Sequence, residues 1–321
     1  MRIERFAIEG GFTIARGSKR EAVVIVVEVR CGAAVGRGEC VPYGRYGETI
    51  ESVLAEITAL VPALESGLER PALQMLIGPG AARNAIDCAL WDLEAKRTGI
   101  PVRDRLGLAA PRPLTTAFTL SLAEPDAMEA AARRNAHRPL LKIKLGGPGD
   151  LDRLAAVRRG APAARLVVDA NEGWTDAFLA EGLAACAAAG VVMVEQPLPA
   201  GADGLLARIP RPVPVCADES HHVAADVAGL TDRYDAVNLK LDKAGGLTEA
   251  LKVVMAVGAA NLQLMVGCMV SSSLAMAPAL LVADSAEVVD LDGPLLLSQD
   301  RQPGLVYAGS VVQPAERALW G

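Results

Sequence analysis

Aromatic side chains are scarce in this sequence. Three Trp, four Tyr and four Phe make up 3% of its 321 residues. A core stacked from large rings is excluded, so the interior must come from Ala, Val and Leu within a hydrophobic fraction of 51%. That supply suits a parallel sheet covered by helices on both faces, whose strands carry continuous apolar runs. Positive charge is not in excess either. Lys and Arg number 32 against 38 Asp and Glu, a net charge of −6. Nucleic-acid binding draws on a basic face and is not indicated. Apolar runs such as Val253–Ala260 fall far short of the roughly 20 residues that cross a bilayer. The first residues, Met1-Arg2-Ile3-Glu4-Arg5, carry charge where a secretory signal needs an apolar stretch, so a cytoplasmic protein is expected. The six cysteines, Cys31, Cys40, Cys88, Cys186, Cys216 and Cys268, include no C-x-x-C pair. Reduced, mostly buried thiols are expected rather than disulfides or a zinc site.

What is present divides into two patterns. Up to about Val41 the chain reads as strands, with the β-branched run Glu21–Arg30 following a turn at Arg16-Gly17-Ser18-Lys19. Helical patterns follow over Thr49–Ser66 and Ala81–Arg97, the second with Ala85, Cys88, Ala89 and Leu93 along one stripe. Residues 1–112 are therefore expected to form an α+β unit, ended by the breakers around Pro111 and Pro113. After Pro113 short apolar strands alternate with Ala-rich helical stretches. Strands are expected near Thr115–Leu122, Leu140–Leu145, Leu166–Asn171, Val191–Gln196, Val213–Asp218, Ala236–Leu241, Leu262–Cys268 and Val288–Asp292. Eight strands in about 180 residues mark a (β/α)₈-type barrel over 113–296. The length is compact for such a barrel, so its last helix is expected to be missing or reduced. Residues 297–321 would then return to the first unit.

Barrel active sites lie at the C-terminal ends of the strands. Three successive strands end in one carboxylate each: Asp169, Glu195 and Asp218, spaced 26 and 23 residues apart. Three converging carboxylates repel one another unless a cation sits among them. Three oxygen ligands with open positions suit Mg²⁺. Helix capping accounts for one such residue, not for three at one level. Lysines end the second strand (Lys142 and Lys144) and the sixth (Lys240). In a ring of eight, these strands stand on opposite sides of the metal. Lys142 and Lys144 are two apart and share a face of their strand. Nearby cations and burial are expected to lower the lysine pKa values from about 10.4 towards 7 or 8. A neutral lysine can take a proton from a carbon acid beside a carboxylate, whose ene-diolate charge the metal spreads. A protonated lysine on the opposite face returns one, which inverts configuration.

These residues resemble the enolase superfamily, and the Lys-x-Lys, Asp, Glu, Asp, Lys pattern is similar to its muconate lactonising subgroup. The likeness runs over essentially the whole chain. It is nearest to the dipeptide epimerases that interconvert L-Ala-L-Glu and L-Ala-D-Glu. The supporting segments are Ala15-Arg16-Gly17-Ser18, Gly38-Glu39-Cys40-Val41-Pro42-Tyr43, Arg45-Tyr46-Gly47-Glu48, Asn238-Leu239-Lys240-Leu241-Asp242-Lys243 and Asp290-Leu291-Asp292-Gly293-Pro294. The resemblance implies one Mg²⁺ per site, a first unit that caps the barrel mouth, and cell-wall peptide metabolism as the setting. It also implies that Lys144 handles the L proton and Lys240 the D proton, and that Asp290 and Asp292 bind the substrate's ammonium group. The expected partners are a small-molecule substrate and further copies of the chain, with neither nucleic acid nor membrane. A glutamyl side chain needs a cation, for which Arg16 is the first candidate and Lys19 the second. Tyr46 lies in the next loop of the cap. Many superfamily members carry a glutamate after the seventh strand, whereas Gly267–Ser273 holds no acid. Racemisation of an N-acylated amino acid such as N-acetyl- or N-succinyl-glutamate, and cycloisomerisation, use the same metal and lysines and stay open. His221 and His222 read as helix-start residues.

Overall fold

The computed structural model describes residues 1–321. Three long strands open the chain: β1 (Arg2–Ile14), β2 (Gly17–Cys31) and β3 (Ala34–Cys40). They form an antiparallel sheet in the order β1-β2-β3. The unbroken apolar run of β2 has a structural reason. Val24 and Val26 belong to the main core, while the alternate residues Ile25 and Val27 belong to a second core beneath the cap helices.

Five helices follow: α1 (Ile50–Ala59), α2 (Val61–Glu65), α3 (Arg70–Leu76), α4 (Ala81–Thr98) and α5 (Val102–Arg105). Thr49 starts α1 with a reciprocal cap, its hydroxyl accepting from the Ser52 N–H while the Ser52 hydroxyl accepts from the Thr49 N–H. In α4 burial is not confined to the expected stripe. Every residue from Ala81 to Leu93 is buried, since the helix packs against β3 on one side and barrel helices on another. Gly36 and Gly38 of β3 permit this approach. A Cβ at either would fall 2.1 Å from the Ala89 carbonyl oxygen or 2.0 Å from that of Ala85.

The barrel uses β5 (Phe118–Leu120), β6 (Leu140–Lys144), β7 (Arg165–Asp169), β8 (Val191–Glu195), β9 (Val215–Ala217), β10 (Ala236–Leu239), β11 (Gln263–Gly267) and β12 (Val288–Asp290). Adjacent strands pair in parallel and in chain order. All eight expected strands are thus found. Ala117, Leu140, Val167, Met193, Cys216, Ala236, Met265 and Val288, at matching levels around the ring, form one packed layer of its interior. No ladder joins β12 to β5. Single bonds span that seam: the Ala117 N–H donates to the Val289 carbonyl, and the Leu291 N–H to the Thr116 hydroxyl, each at 2.8 Å.

The connections depart from a regular barrel. Helices α6 (Pro125–Arg134), α7 (Asp150–Gly160) and α8 (Asp176–Ala188) follow the first three strands, α9 (Leu241–Ala244) and α10 (Leu247–Ala259) the sixth, and α11 (Ser273–Ala283) the seventh. After β8 and β9 there are only 3-10 turns, at Gly204–Ala207 and Ala224–Gly229. Another at Gly293–Leu296 replaces the eighth helix, the reduction the chain length implied. The segment expected as one strand from Thr115 is two. Its start, β4 (Leu114–Thr115), pairs instead with a C-terminal hairpin of β13 (Tyr307–Ala308) and β14 (Val311–Val312). The tail then reaches the cap. Arg37 donates to the Leu319 carbonyl at 2.8 Å, and Trp320 Nε1 to the Cys88 carbonyl at 3.0 Å.

All six cysteines are free thiols; four are buried, Cys268 is half-buried and Cys31 is exposed. No helix is long and apolar enough to cross a membrane.

Candidate active site

The strand register sets the acidic residues side by side. Lys144 pairs with Asp169 and Asp169 with Glu195 across β6, β7 and β8, and Asp218 directly follows β9. Asp169 and Glu195 are wholly buried and Asp218 is 1% exposed. Lys142 and Lys144 both turn inward, and Lys240 caps the opposite strand β10. Lys142 Nζ lies 3.0 Å from Asp169 Oδ2, 2.6 Å from Glu195 Oε2 and 2.8 Å from Asp290 Oδ2. Lys144 Nζ is 2.6 Å from Asp169 Oδ2. Across the ring, Lys240 Nζ is 2.5 Å from Asp218 Oδ2 and 3.7 Å from Glu195 Oε1.

Three supporting residues were not assigned roles from the sequence. Lys243 is fully buried and holds Asp218 Oδ1 at 2.6 Å and the Asn238 carbonyl at 3.0 Å. Asn238 Nδ2 donates to Glu195 Oε1 at 2.7 Å. Gln196 accepts the Asp218 and Ser220 N–H groups on its amide oxygen and donates to the Tyr234 hydroxyl. Its backbone is left-handed, at φ 36°, as are Asn171 and Glu172 after β7. Such strain at strand ends marks backbone held in place by its surroundings. The signal for Lys243 was its place one helical turn after Lys240; Gln196 was marked only by adjacency to Glu195.

The pKa values of Lys142 and Lys240 do not fall in this arrangement. Burial alone would lower that of Lys142, but Asp290, Glu195 and Asp169 outweigh it and hold the ammonium well above the ordinary lysine range. Lys240 behaves likewise, with Asp218 and Glu195 overcoming burial. The expectation counted a metal and neighbouring lysines; here the carboxylate charge faces the ammonium groups directly. Glu195 carries the cost. Burial, then Asp169, push its pKa up to about 7.

No three acidic, histidine or cysteine side chains stand close enough here to enclose an ion. The ammonium groups account for this, since Lys142 and Lys240 sit among the carboxylates as cations. The donor set still fits a hard divalent ion. Asp169 and Glu195 already converge on one cation, the Lys142 ammonium, at 3.0 and 2.6 Å, so this donor set gathers positive charge.

A cavity of about 600 Å³ opens between cap and barrel. Lys144, Lys240 and Asp218 line it, together with Arg16, Lys19 and Tyr43 from the cap and Cys268–Val270 after β11. Arg16 is already committed. It bonds Glu219 Oε1 at 2.6 Å, Glu172 Oε2 at 3.0 Å, the Tyr43 hydroxyl and the Asn171 carbonyl. Lys19 has no ion pair and stands 5.3 Å from the centre of the Tyr43 ring. Tyr46 packs edge-on against His222, with ring centres 4.5 Å apart, and does not line the cavity. His221 is fully buried, and burial drives its pKa down to about 3, so it is neutral.

Asp290 and Asp292 are buried beside the seam rather than on the cavity wall. One oxygen of Asp290 meets Lys142, and its Oδ1 has no hydrogen-bond partner. Asp292 Oδ2 accepts the Thr119 N–H at 2.6 Å. Burial and the neighbouring Asp290 raise the Asp292 pKa to about 7.

Comparison with known proteins agrees with this geometry. Residues 2–107 match the "Mandelate racemase / muconate lactonizing enzyme, N-terminal domain" family, and residues 126–299 match the "Enolase C-terminal domain-like" family. The chain belongs to the enolase superfamily. It is 45% identical to the L-Ala-D/L-Glu epimerase of Escherichia coli K12 over 95% of both chains. It is 42% identical to the N-acetyl-D-glutamate racemase of a Pseudoalteromonas species, covering 93% of this chain and 95% of the other. An enolase family member from Agrobacterium tumefaciens, with homology to dipeptide epimerases, was crystallised with sodium and L-Ala-L-Glu. It shares 55% identity at a TM-score of 0.98, covering 100% of this chain and 98% of its own. The dipeptide epimerase of Cytophaga hutchinsonii, solved with Mg and D-Ala-L-Val, shares 26% identity at a TM-score of 0.90 over 97% and 92% of the chains. At the end of β11 stand Cys268, Met269 and Val270, with no carboxylate.

Proposed function

We propose that this protein is a Mg²⁺-dependent isomerase that epimerises dipeptides of the L-Ala-L-Glu type by two-base 1,1-proton transfer at the α-carbon. One observation carries the reading: Lys144 and Lys240 reach the same cavity from opposite strands, each against a different carboxylate. Asp169, Glu195 and Asp218 would hold the ion. When bound, Mg²⁺ supplies positive charge against the developing ene-diolate and takes up the carboxylate charge that now raises the pKa of Lys240. The residues do the rest. Lys144 or Lys240, once neutral, removes the α-proton, and its partner delivers one to the other face. Lys142 is too buried to reach the cavity. It stays among Asp169, Glu195 and Asp290 as a fixed positive charge.

The identity of the acyl portion turns on Asp290 and Asp292. The orphaned Asp290 Oδ1 and the raised pKa of Asp292 describe an acidic pair that Lys142 neutralises only in part. A dipeptide brings an ammonium group one residue beyond the reacting carbon, and each charge-assisted bond to it contributes about 1.5–3 kcal/mol. For the side chain, Lys19 is better placed than Arg16, whose donors are taken. Recovery of cell-wall peptides in the cytoplasm is the setting this substrate implies, with an oligomer of identical chains as the working form.

A second reading, racemisation of N-acetylglutamate, is favoured by the existing Lys142–Asp290 pair, which partly neutralises the acids without any substrate. Incubating the protein in D₂O with panels of dipeptides and N-acyl amino acids separates the two. The reading predicts deuterium at the α-carbon of L-Ala-L-Glu, seen by mass spectrometry with Mg²⁺ and abolished by chelation. Exchange that survives exhaustive chelation removes the metal from the account, and exchange confined to acylated substrates removes the dipeptide.

A further inference from the structure

One buried ionic cluster lies outside the catalytic set and joins three distant parts of the chain. Glu39 of β3 is 1% exposed. Its Oε1 accepts the Ser272 N–H at 2.8 Å. Its Oε2 accepts the Ser272 hydroxyl at 2.5 Å and Arg301 Nη2 at 2.7 Å. Arg301 comes from the C-terminal tail and also bonds Glu4 of β1 at 2.6 Å and the Ser272 hydroxyl at 2.6 Å. Cap, tail and the segment after β11 therefore share one set of hydrogen bonds.

Ser272 anchors a segment that matters to the cavity. Cys268, Met269 and Val270 precede it and form part of the cavity wall opposite the cap residues. The segment is held from its other side as well. A Cβ at Gly293 would lie 3.0 Å from the Ser271 carbonyl oxygen, so the chain after β12 packs directly on it. Val270 packs against the cap residues Ile8 and Ala22. The wall is thus fixed between cap and barrel, with buried Glu39 and its partner Arg301 as a charged anchor at Ser272 and Asp300 holding the next residue, Ser273. Such a pair contributes little net stability, because its desolvation offsets its attraction, but removing one partner strands the other. Such a pair suits positioning better than stability.

We propose that Glu39, Ser272 and Arg301 act as a clamp that positions the Cys268–Val270 wall and thereby sets how tightly substrate is held, without taking part in proton transfer. The proposal rests on the cavity being the substrate site. Glu39, Ser272 and Arg301 are positioning residues, since none of them lines the cavity.

The test uses the full chain with Mg²⁺ and compares wild type with Glu39→Gln, Ser272→Ala, Arg301→Ala and Arg301→Lys. For L-Ala-L-Glu, Glu39→Gln and Arg301→Ala should raise KM at least about tenfold while kcat stays within about threefold, the pattern of lost uniform binding. Arg301→Lys should recover part of the loss. A second measurement needs no substrate: the rate at which iodoacetamide labels Cys268, followed by peptide mass spectrometry with exposed Cys31 as internal reference. Loosening the wall should speed Cys268 labelling at least about fivefold at constant Cys31 labelling, because reactivity follows access. Should Glu39→Gln fail to fold, Ser272→Ala and Arg301→Lys carry the same readouts with charge preserved. If wild type turns over no dipeptide, the substrate assignment fails while the labelling still reports on the clamp. Unchanged Cys268 labelling together with unchanged KM in folded variants, or kcat falling in step with kcat/KM, would overturn the proposal.

Discussion

Lys243 holds Asp218 by Oδ1 at 2.6 Å and leaves the other oxygen of that carboxylate to Lys240 at 2.5 Å. One aspartate is thus anchored by a lysine that cannot reach the cavity and shared with one that can. Asp218 has a single oxygen to offer an incoming ion, because Lys243 keeps the other. Lys243→Met would strand Asp218 Oδ1 and the Asn238 carbonyl without donors. Breaking a buried pair from one side costs about 3 kcal/mol or more. Urea unfolding should show that loss, and an unchanged midpoint with an unchanged slope would contradict it.

The opposed lysines make a directional prediction. Lys144→Ala and Lys240→Ala should each abolish net epimerisation. Lys240→Ala should still exchange the α-proton of the L isomer with solvent, and Lys144→Ala that of the D isomer, because each retains one base. Proton NMR in D₂O on separate isomers reads this out. Net epimerisation at a normal rate by either variant would establish another base.

Arg16 and Lys19 are three residues apart and have different tasks here. Arg16 ties the cap to Glu172 and Glu219 of the barrel, whereas Lys19 has no acidic partner. Lys19→Ala should therefore reduce discrimination between L-Ala-L-Glu and L-Ala-L-Gln at least about tenfold in kcat/KM, or about 1.4 kcal/mol. Retained discrimination in Lys19→Ala, with loss in Arg16→Ala, would exchange their roles.

Asp242 gives a pH dependence of stability. Burial raises its pKa to about 7, although the Val41 N–H and Asn84 Nδ2 both donate to Oδ1, at 3.0 and 2.9 Å. In the unfolded chain the group titrates near about 3.9, so between these values the folded state binds the extra proton. Its stabilising contribution is full below about pH 4 and is lost as pH rises through about 7. Asp242→Asn cannot ionise. Its stability relative to wild type should improve from pH 4.5 to pH 8, by up to about 3 kcal/mol, the part of a shift of roughly three pH units that falls in this range. A difference between the two proteins that stays constant with pH would show that Asp242 does not titrate in that range.

Much of this architecture was legible because it is periodic. Most barrel strands are short apolar runs that end in or lead into a polar residue, and the runs recur at about one βα spacing. The alternation rule placed Lys142 and Lys144 on one face, and both are buried there. Pro214 shortens the fifth strand: its carbonyl accepts the Val194 N–H at 2.9 Å, but it has no N–H to donate, and β9 begins at Val215 rather than Val213. The first barrel strand split because Leu114–Thr115 finds partners nearly two hundred residues later, at Val311 and Val312. The Glu39–Arg301 contact was invisible for the same reason, being made across 262 residues. Local pattern also gave no measure of charge balance. The lysine pKa values depend on which cation holds the carboxylates, a property of the filled site rather than of any segment.

The substrate assignment is the central claim, and a side-by-side polarimetric assay of L-Ala-L-Glu and N-acetyl-L-Glu tests it most directly. An acyl group in place of the ammonium leaves the orphaned oxygen of Asp290 unpaired, which costs several kcal/mol in a buried site. The account predicts that wild type prefers the dipeptide by at least about a hundredfold in kcat/KM, or about 2.7 kcal/mol, and that Asp292→Asn erodes the preference by raising KM for the dipeptide more than for the acylated substrate. Equal or faster turnover of N-acetyl-L-Glu by wild type would contradict it.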